Sequence, residues 1–153
     1  MNKSEIVALI LEKLREEFED RRRVSKLTRD GGNDAECKAE SKYDTLSIEE
    51  NYLADGLAKQ AFAAAQAIPA IEKMHLHDFA ADEPIDLGAL VELEVSPANE
   101  WFFLAPSGGG TEVEHQGTTI TVITPESPLG SLMLGSRAGR HIKAPPARIV
   151  RVL

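Results

Sequence analysis

The side chains best suited to chemistry in this 153-residue sequence are carboxylates, and they are unevenly placed. From Asp30 to Asp55 there are eight acidic residues (Asp30, Asp34, Glu36, Glu40, Asp44, Glu49, Glu50, Asp55) against two basic ones, Lys38 and Lys42. Immediately before them Arg21, Arg22, Arg23, Lys26 and Arg29 form a basic run with no acid among them until Asp30. Hard divalent cations such as magnesium prefer oxygen ligands and need only one or two from a protein. A cluster of this kind can therefore offer carboxylates to a partner's metal ion or to a basic channel. It fits equally a solvated face whose charges pair across two helices.

The other reactive side chains form no comparable group. His75, His77, His115 and His141 lack metal-ligand spacing and read as solvent-exposed; two of them, two residues apart, do not share a helix face. Cys37 is the one cysteine, which excludes an internal disulfide framework and a thiolate zinc cluster. Gly108-Gly109-Gly110 lacks the lysine and helix of a phosphate-binding loop, and no triad or nucleotide fingerprint is present. The chain is not read as an enzyme in its own right, and no intrinsic cofactor is expected.

Composition narrows the partners. A net charge of −8 argues against free nucleic acid as the main partner, although a complex could touch nucleic acid indirectly. No apolar run approaches the roughly 20 residues that span a bilayer, and the N-terminus is charged where a signal peptide is apolar. A cytoplasmic protein without a membrane contact is expected. Aromatic residues at 5% suggest helix or coiled coil over much of the chain.

The elements that must position the carboxylates are two long helices. Ser4 can cap a helix running to about Thr28, with Val7, Leu11, Leu14 and Phe18 in 4-3-4 spacing and Ile6 and Ile10 widening the stripe. Gly31 and Gly32 are expected to stop it, and Asn33 or Asp34 to cap the next. A second seam runs through Leu46, Glu50, Leu53, Leu57, Gln60, Ala64, Ala67, Ile71 and Met74, with Pro69 read as a kink or as the start of a separate short helix ending near His77. A short connection makes such helices antiparallel neighbours. The predicted arm is a helical hairpin of residues 1–78, about 40 Å long at 1.5 Å per residue, with its acidic tip near 29–44. A hairpin folded onto the rest of the molecule, or one that dimerises, fits the pattern as well; a monomer is expected.

Residues 79–153 change character. Leu87–Val95, Trp101–Leu104, Thr118–Thr124 and Arg148–Leu153 read as short strands, and Leu129–Leu134 as a short helical step. The predicted fold class is α+β: an antiparallel coiled-coil hairpin followed by a small β-rich domain. The turn Ser127-Pro128-Leu129-Gly130, continued by Leu132, Leu134-Gly135 and Gly139, is its most distinctive string.

The stretch Ile123-Thr124-Pro125-Glu126-Ser127-Pro128-Leu129-Gly130-Ser131-Leu132-Met133-Leu134-Gly135-Ser136-Arg137-Ala138-Gly139 resembles the C-terminal signature of the GreA/GreB transcript cleavage factors. The order of coiled coil and small domain is similar to that family over nearly the whole chain. The resemblance implies an FKBP-like fold for the C-terminal domain, docking through Ser127, Pro128, Leu129 and Gly130 at the rim of the bacterial RNA polymerase secondary channel, and a coiled coil entering that channel. It further implies that Asp34, Glu36 and Glu40 take the place of tip acids that help the polymerase cut backtracked RNA, with Asp34 and Glu36 as shared ligands of the polymerase's magnesium. Arg21, Arg22 and Arg23 match the family's basic surface for emerging RNA, or else pair with acids of the second helix. Against the family's "DLKEN-AEY" tip, Glu36 falls on the aspartate but Ala39 on the glutamate, with Glu40 one place along. A helical step of one residue turns a side chain by about 100°.

Two further readings remain open on the residues. One is a non-cleaving antagonist of the polymerase, like the Rnk-type relatives. The other is an FKBP-like isomerase or chaperone, which needs an aromatic-lined pocket. Trp101, Phe102 and Phe103 are the aromatics available, and strand alternation sends Phe102 to the opposite face.

Overall fold

A computed structural model describes residues 1–32, 45–80, 82–95, 97–143 and 146–153, without the side chains of residues 25, 28–32, 45–52 and 54. Two long helices, α1 (Lys3–Gly32) and α2 (Thr45–Glu72), precede strands β1 (Leu90–Val95), β2 (Ala98–Leu104), β3 (Glu112–His115) and β4 (Thr118–Ile123). A short helix, α3 (Pro128–Met133), and strands β5 (His141–Lys143) and β6 (Pro146–Val152) complete an α+β chain. Residue contacts divide it into two units: Met1–Leu14 with Ala67–Leu153, and Arg15–Gln66.

The first unit is built on one mixed sheet of order β3-β4-β2-β1-β6-β5. Every pairing is antiparallel except β2 with β4, in which Trp101 faces Ile120 and Phe103 faces Val122. Alternation along the strands sends side chains to two cores. On one face Leu90, Trp101, Phe103, Ile120 and Val122 meet Ile6, Val7, Ile10 and Leu14 of α1 and Ala67 and Ile71 of α2. On the other, Val91, Leu93, Leu104, Ile142 and Ile149 meet Met133 of α3 with Phe79 and Ile85. Each such fully buried aliphatic side chain contributes about 1.5–3 kcal/mol. The opposite destinations of Phe102 and its neighbours agree with the alternation argument.

Several expectations need correction. The most buried residues at the start of α1 are Ile6 and Ile10, while Leu11 and Phe18 are half-buried. The stripe there meets both the sheet and Ala67 and Ile71 of α2, a broader surface than one helix, so it is wider than a heptad seam. On α2, Leu53 and Gln60 are exposed, and the buried row is Ala61, Ala64, Ala67 and Ile71. α1 runs to Gly32, past the expected end near Thr28, and α2 passes through Pro69 to Glu72 without a separate helix after it. Pro69 sits in the last turn, so the one intrahelical bond it cannot donate is lost where the helix ends three residues later.

Two strands lack any counterpart among the sequence-based expectations. β3 is closed onto β4 by Gln116 and Gly117, at φ 53° and 75°. Both lie in the left-handed region that a two-residue hairpin turn requires. β5 is only three residues long.

Candidate partner-docking surface

The Ser127–Gly130 turn is described in full, and its chemistry is structural. β4 ends at Ile123, and the carbonyl of Thr124 then accepts from both the Ser127 N–H (3.0 Å) and the Ser127 hydroxyl (2.8 Å). The same hydroxyl oxygen caps α3 by accepting from the Gly130 N–H at 3.0 Å. Pro128 occupies the first turn, where its missing N–H costs nothing. A Cβ on Gly130 would lie 2.0 Å from the Thr124 carbonyl oxygen, so glycine is required there for space. Gly130 is absent from the positive-φ positions, so conformation is not the reason.

α3 is held from below and behind. Met133 is fully buried in the second core, and Leu129 packs against that core. Past the helix, Gly135 N–H donates to Ile85 O (2.8 Å) and Ile85 N–H to Ser136 O (2.7 Å), with Gly135 at φ 73°. The buried Ser136 hydroxyl donates to Leu132 O (2.7 Å) and accepts from Arg140 Nη1 (2.7 Å). The outer side of the element is left apolar: Pro128 is exposed, and Leu132 and Leu134 are 39% and 42% exposed. Glu126 is the one titratable group between Thr124 and Ser136.

The remaining expected site residues divide into two groups. Arg21, Arg22 and Arg23 pair with acids of their own helix: Arg21 with Glu17 (3.0 Å), Arg22 with Glu19 (3.9 Å) and Arg23 with Asp20 (2.9 Å). These are i,i+3 and i,i+4 pairs along α1, worth a few tenths of a kcal/mol each; the acids between Asp34 and Glu50, to which the other expected pairing refers, lie outside the described side chains. Asp34, Glu36 and Glu40, together with Ala39 and Cys37, lie outside the described residues. Among the described residues no group of His, Cys, Asp and Glu could hold a metal ion, and no helix is long and apolar enough to cross a membrane.

A polar network at the N-terminus of α1 was not foreseen. His115 is buried, contrary to the expectation of exposed histidines, and its Nε2 donates to Glu5 Oε2 at 2.9 Å. That bond, with a further one from Asn2, holds the Glu5 carboxyl below the usual carboxylate range. Lys3 is buried as well; its ammonium donates to His77 O and stands 4.9 Å from the Phe79 ring centroid. Burial pulls the Lys3 pKa down, against Asp78 and Glu83, which raise it. Glu83 accepts from the Ala80 N–H and from His77, which together keep its carboxyl low. His75 and His77 lie in the irregular segment after α2, and their rings stack with centroids 6.1 Å apart.

One open groove of about 580 Å³ lies beside β2, β3 and β4 and is lined by Asn99, Glu100, Glu112 and threonines, with Trp101 its single aromatic residue. Phe103 is fully buried and Phe102 packs against the second core, so the three aromatics line no common pocket.

No protein-family model matches the sequence, and no curated protein matches it. Among solved structures, the chain is similar to GreA factor homolog 1 (Gfh1) of Thermus thermophilus, with 20% identity over 97% of this chain and 93% of that one and a TM-score of 0.36. A second structure, of the transcription factor Gfh1, gives 18% identity, coverages of 94% and 93%, and a TM-score of 0.39. Gfh1 of Thermus aquaticus gives 18%, 94% and 90%, and 0.35.

Proposed function

We propose that this chain is a Gre-like transcription factor that binds RNA polymerase. The observation that carries the reading is the Ile123–Gly139 string. It is the signature similar to that of the GreA/GreB factors, and it is folded into a turn that spends its polar groups on itself and leaves Pro128, Leu132 and Leu134 in water. A rigid apolar step without a reactive group is what a docking element needs. In this reading the step docks near the rim of the secondary channel, and the acidic segment between α1 and α2 enters it. Asp34, Glu36 and Glu40 supply carboxylates beside the polymerase's own magnesium. The RNA-cutting chemistry, metal-assisted phosphodiester hydrolysis, belongs to the polymerase. The chain contributes oxygen ligands and position, with Arg21, Arg22 and Arg23 near the emerging RNA.

Ala39 favours a second version of the same reading, in which the factor occupies the channel without stimulating cleavage, because one tip glutamate of the cleavage factors is replaced. One experiment tests both. Core polymerase is challenged with the chain in a backtracked complex, and binding and RNA cleavage are read separately. Binding with cleavage that disappears in an Asp34→Ala, Glu36→Ala, Glu40→Ala variant supports the cleavage version. Binding without cleavage supports the antagonist. No association with core polymerase, and no competition with a known channel factor, overturns the proposal.

A further inference from the structure

Charge is sharply segregated in the last half of the chain. Between Lys73 and Arg137 there are ten acidic residues and no lysine or arginine; after Glu126 there is no acidic residue, and Arg137, Arg140, Lys143, Arg148 and Arg151 follow. The topology gives this division a place. The sheet runs from β3, with Glu112 and Glu114 exposed, to β5 at the opposite edge, with His141 and Lys143 exposed on either side of the buried Ile142.

The cations near β5 are not equally committed. Arg148 is paired with Glu94 (3.5 Å), and Arg151 with Glu92 (3.1 Å) while lying 5.0 Å from the Trp101 ring centroid. Arg137 donates to the Asp82 carbonyl (2.7 Å) and Arg140 to the Ser136 hydroxyl (2.7 Å), bonds that fix them without neutralising them. Among the described residues, neither these two nor Lys143 has a carboxylate partner. An edge strand also leaves alternate backbone N–H and C=O groups without a ladder partner. A groove of about 320 Å³ adjoins it, lined by His141, Ile142, Asn99, Pro97 and the paired Arg148 and Glu94 among others.

We propose that the open edge of β5 binds an extended acidic segment of another polypeptide, added to the sheet as a further strand. Its backbone would complete the ladder, and carboxylates at alternate positions would meet His141 and Lys143, with Arg140 and Arg137 supplying the surrounding positive field. An acidic peptide fits better than a nucleic acid for two reasons. No phenylalanine, tyrosine or tryptophan follows Phe103, so β5 and β6 offer bases only the His141 imidazole to stack on. The net charge of −8 repels a long polyanion more than a short segment confined to one edge. This inference does not depend on the polymerase reading, and its test contains no polymerase.

The test uses the full chain and a fluorescein-labelled twelve-residue peptide of alternating glutamate and threonine, with single-stranded RNA of twelve nucleotides as the competing ligand, read by anisotropy. The expected result is saturable peptide binding that weakens at least tenfold in the Arg140→Glu, Lys143→Glu double variant and on raising salt from 50 to 500 mM. RNA is expected to bind at least tenfold more weakly than the peptide. The single Lys143→Gln variant, which leaves every bond described above in place, should weaken peptide binding measurably. Absence of peptide binding at 50 mM salt, equal affinity in the charge-reversed variants, or RNA binding as tight as the peptide's overturns the proposal.

Discussion

Replacing Gly130 by alanine tests the account of the docking element most directly. The added Cβ would fall 2.0 Å from Thr124 O and 2.8 Å from Ser127 Oγ, and the nearer atom belongs to the backbone and cannot rotate away. A carbon and a carbonyl oxygen need roughly 3.2 Å, so the turn must open by about an ångström. Opening it breaks the bond from Ser127 Oγ to Thr124 O and the cap from Gly130 N–H to Ser127 Oγ, each worth about 1 kcal/mol net. It also lifts Met133 from the second core, where even a partial loss costs about 1 kcal/mol. The expected destabilisation is about 2–4 kcal/mol. In urea, at a slope of about 1–3 kcal/mol per molar, the midpoint falls by on the order of 1–2 M. A Gly130→Ala variant within about 0.5 kcal/mol of the parent would refute the steric argument, since it would mean that the turn can shift without strain.

Further outcomes follow from other residues. Leu132→Ser with Leu134→Ser should change stability by less than about 1 kcal/mol, both side chains being substantially exposed, yet abolish co-purification with core polymerase. Retained association would separate α3 from docking. The lowered carboxyls of Glu5 and Glu83 bind fewer protons folded than unfolded, so their stabilisation is present above the unfolded carboxylate range and is lost as pH falls through the lowered values. Glu5→Gln should therefore flatten acid unfolding curves, and an unchanged pH profile would count against the His115 bond. Lys3 has the opposite chemistry but the same slope: its folded pKa is lowered, so stability rises with pH from that value towards the unfolded one near 10.5. Lys3→Met should remove that alkaline rise in a thermal melt series.

The sequence carried the local part of this structure and missed the part made between distant residues. Apolar alternation was enough to place β1, β2, β4 and β6, and Ser127-Pro128 enough to place α3, because these signals lie within a few residues of one another. β3 and β5 were missed because four and three residues are too short for a period to register, although Gln116-Gly117 was a readable turn. The buried His115 could not be anticipated, since its partner Glu5 lies 110 positions away, and the same holds for Lys3 and His77 at 74. The periodicity along α1 does not say what its apolar stripe faces, and its first half meets the sheet as well as Ala67 and Ile71 of α2. Ser127, Leu129 and Gly130 were legible as a distinctive string. That their polar atoms are turned inward and Leu132 and Leu134 outward was not.

The first core joins the chain's opening residues to some of its last strands, and this has a consequence for biosynthesis. Ile6, Ile10 and Leu14 leave the ribosome early, but Ile120 and Val122, against which they rest, are made more than a hundred residues later. At roughly 5–20 residues per second, that interval is on the order of 5–20 s. During that interval the stripe can be covered only in part, first by Ala67 and Ile71 and later by Leu90, Trp101 and Phe103, and what stays uncovered is the kind of surface that holding chaperones recognise. A slow codon late in the message would prolong that exposure, whereas one early in the message would not.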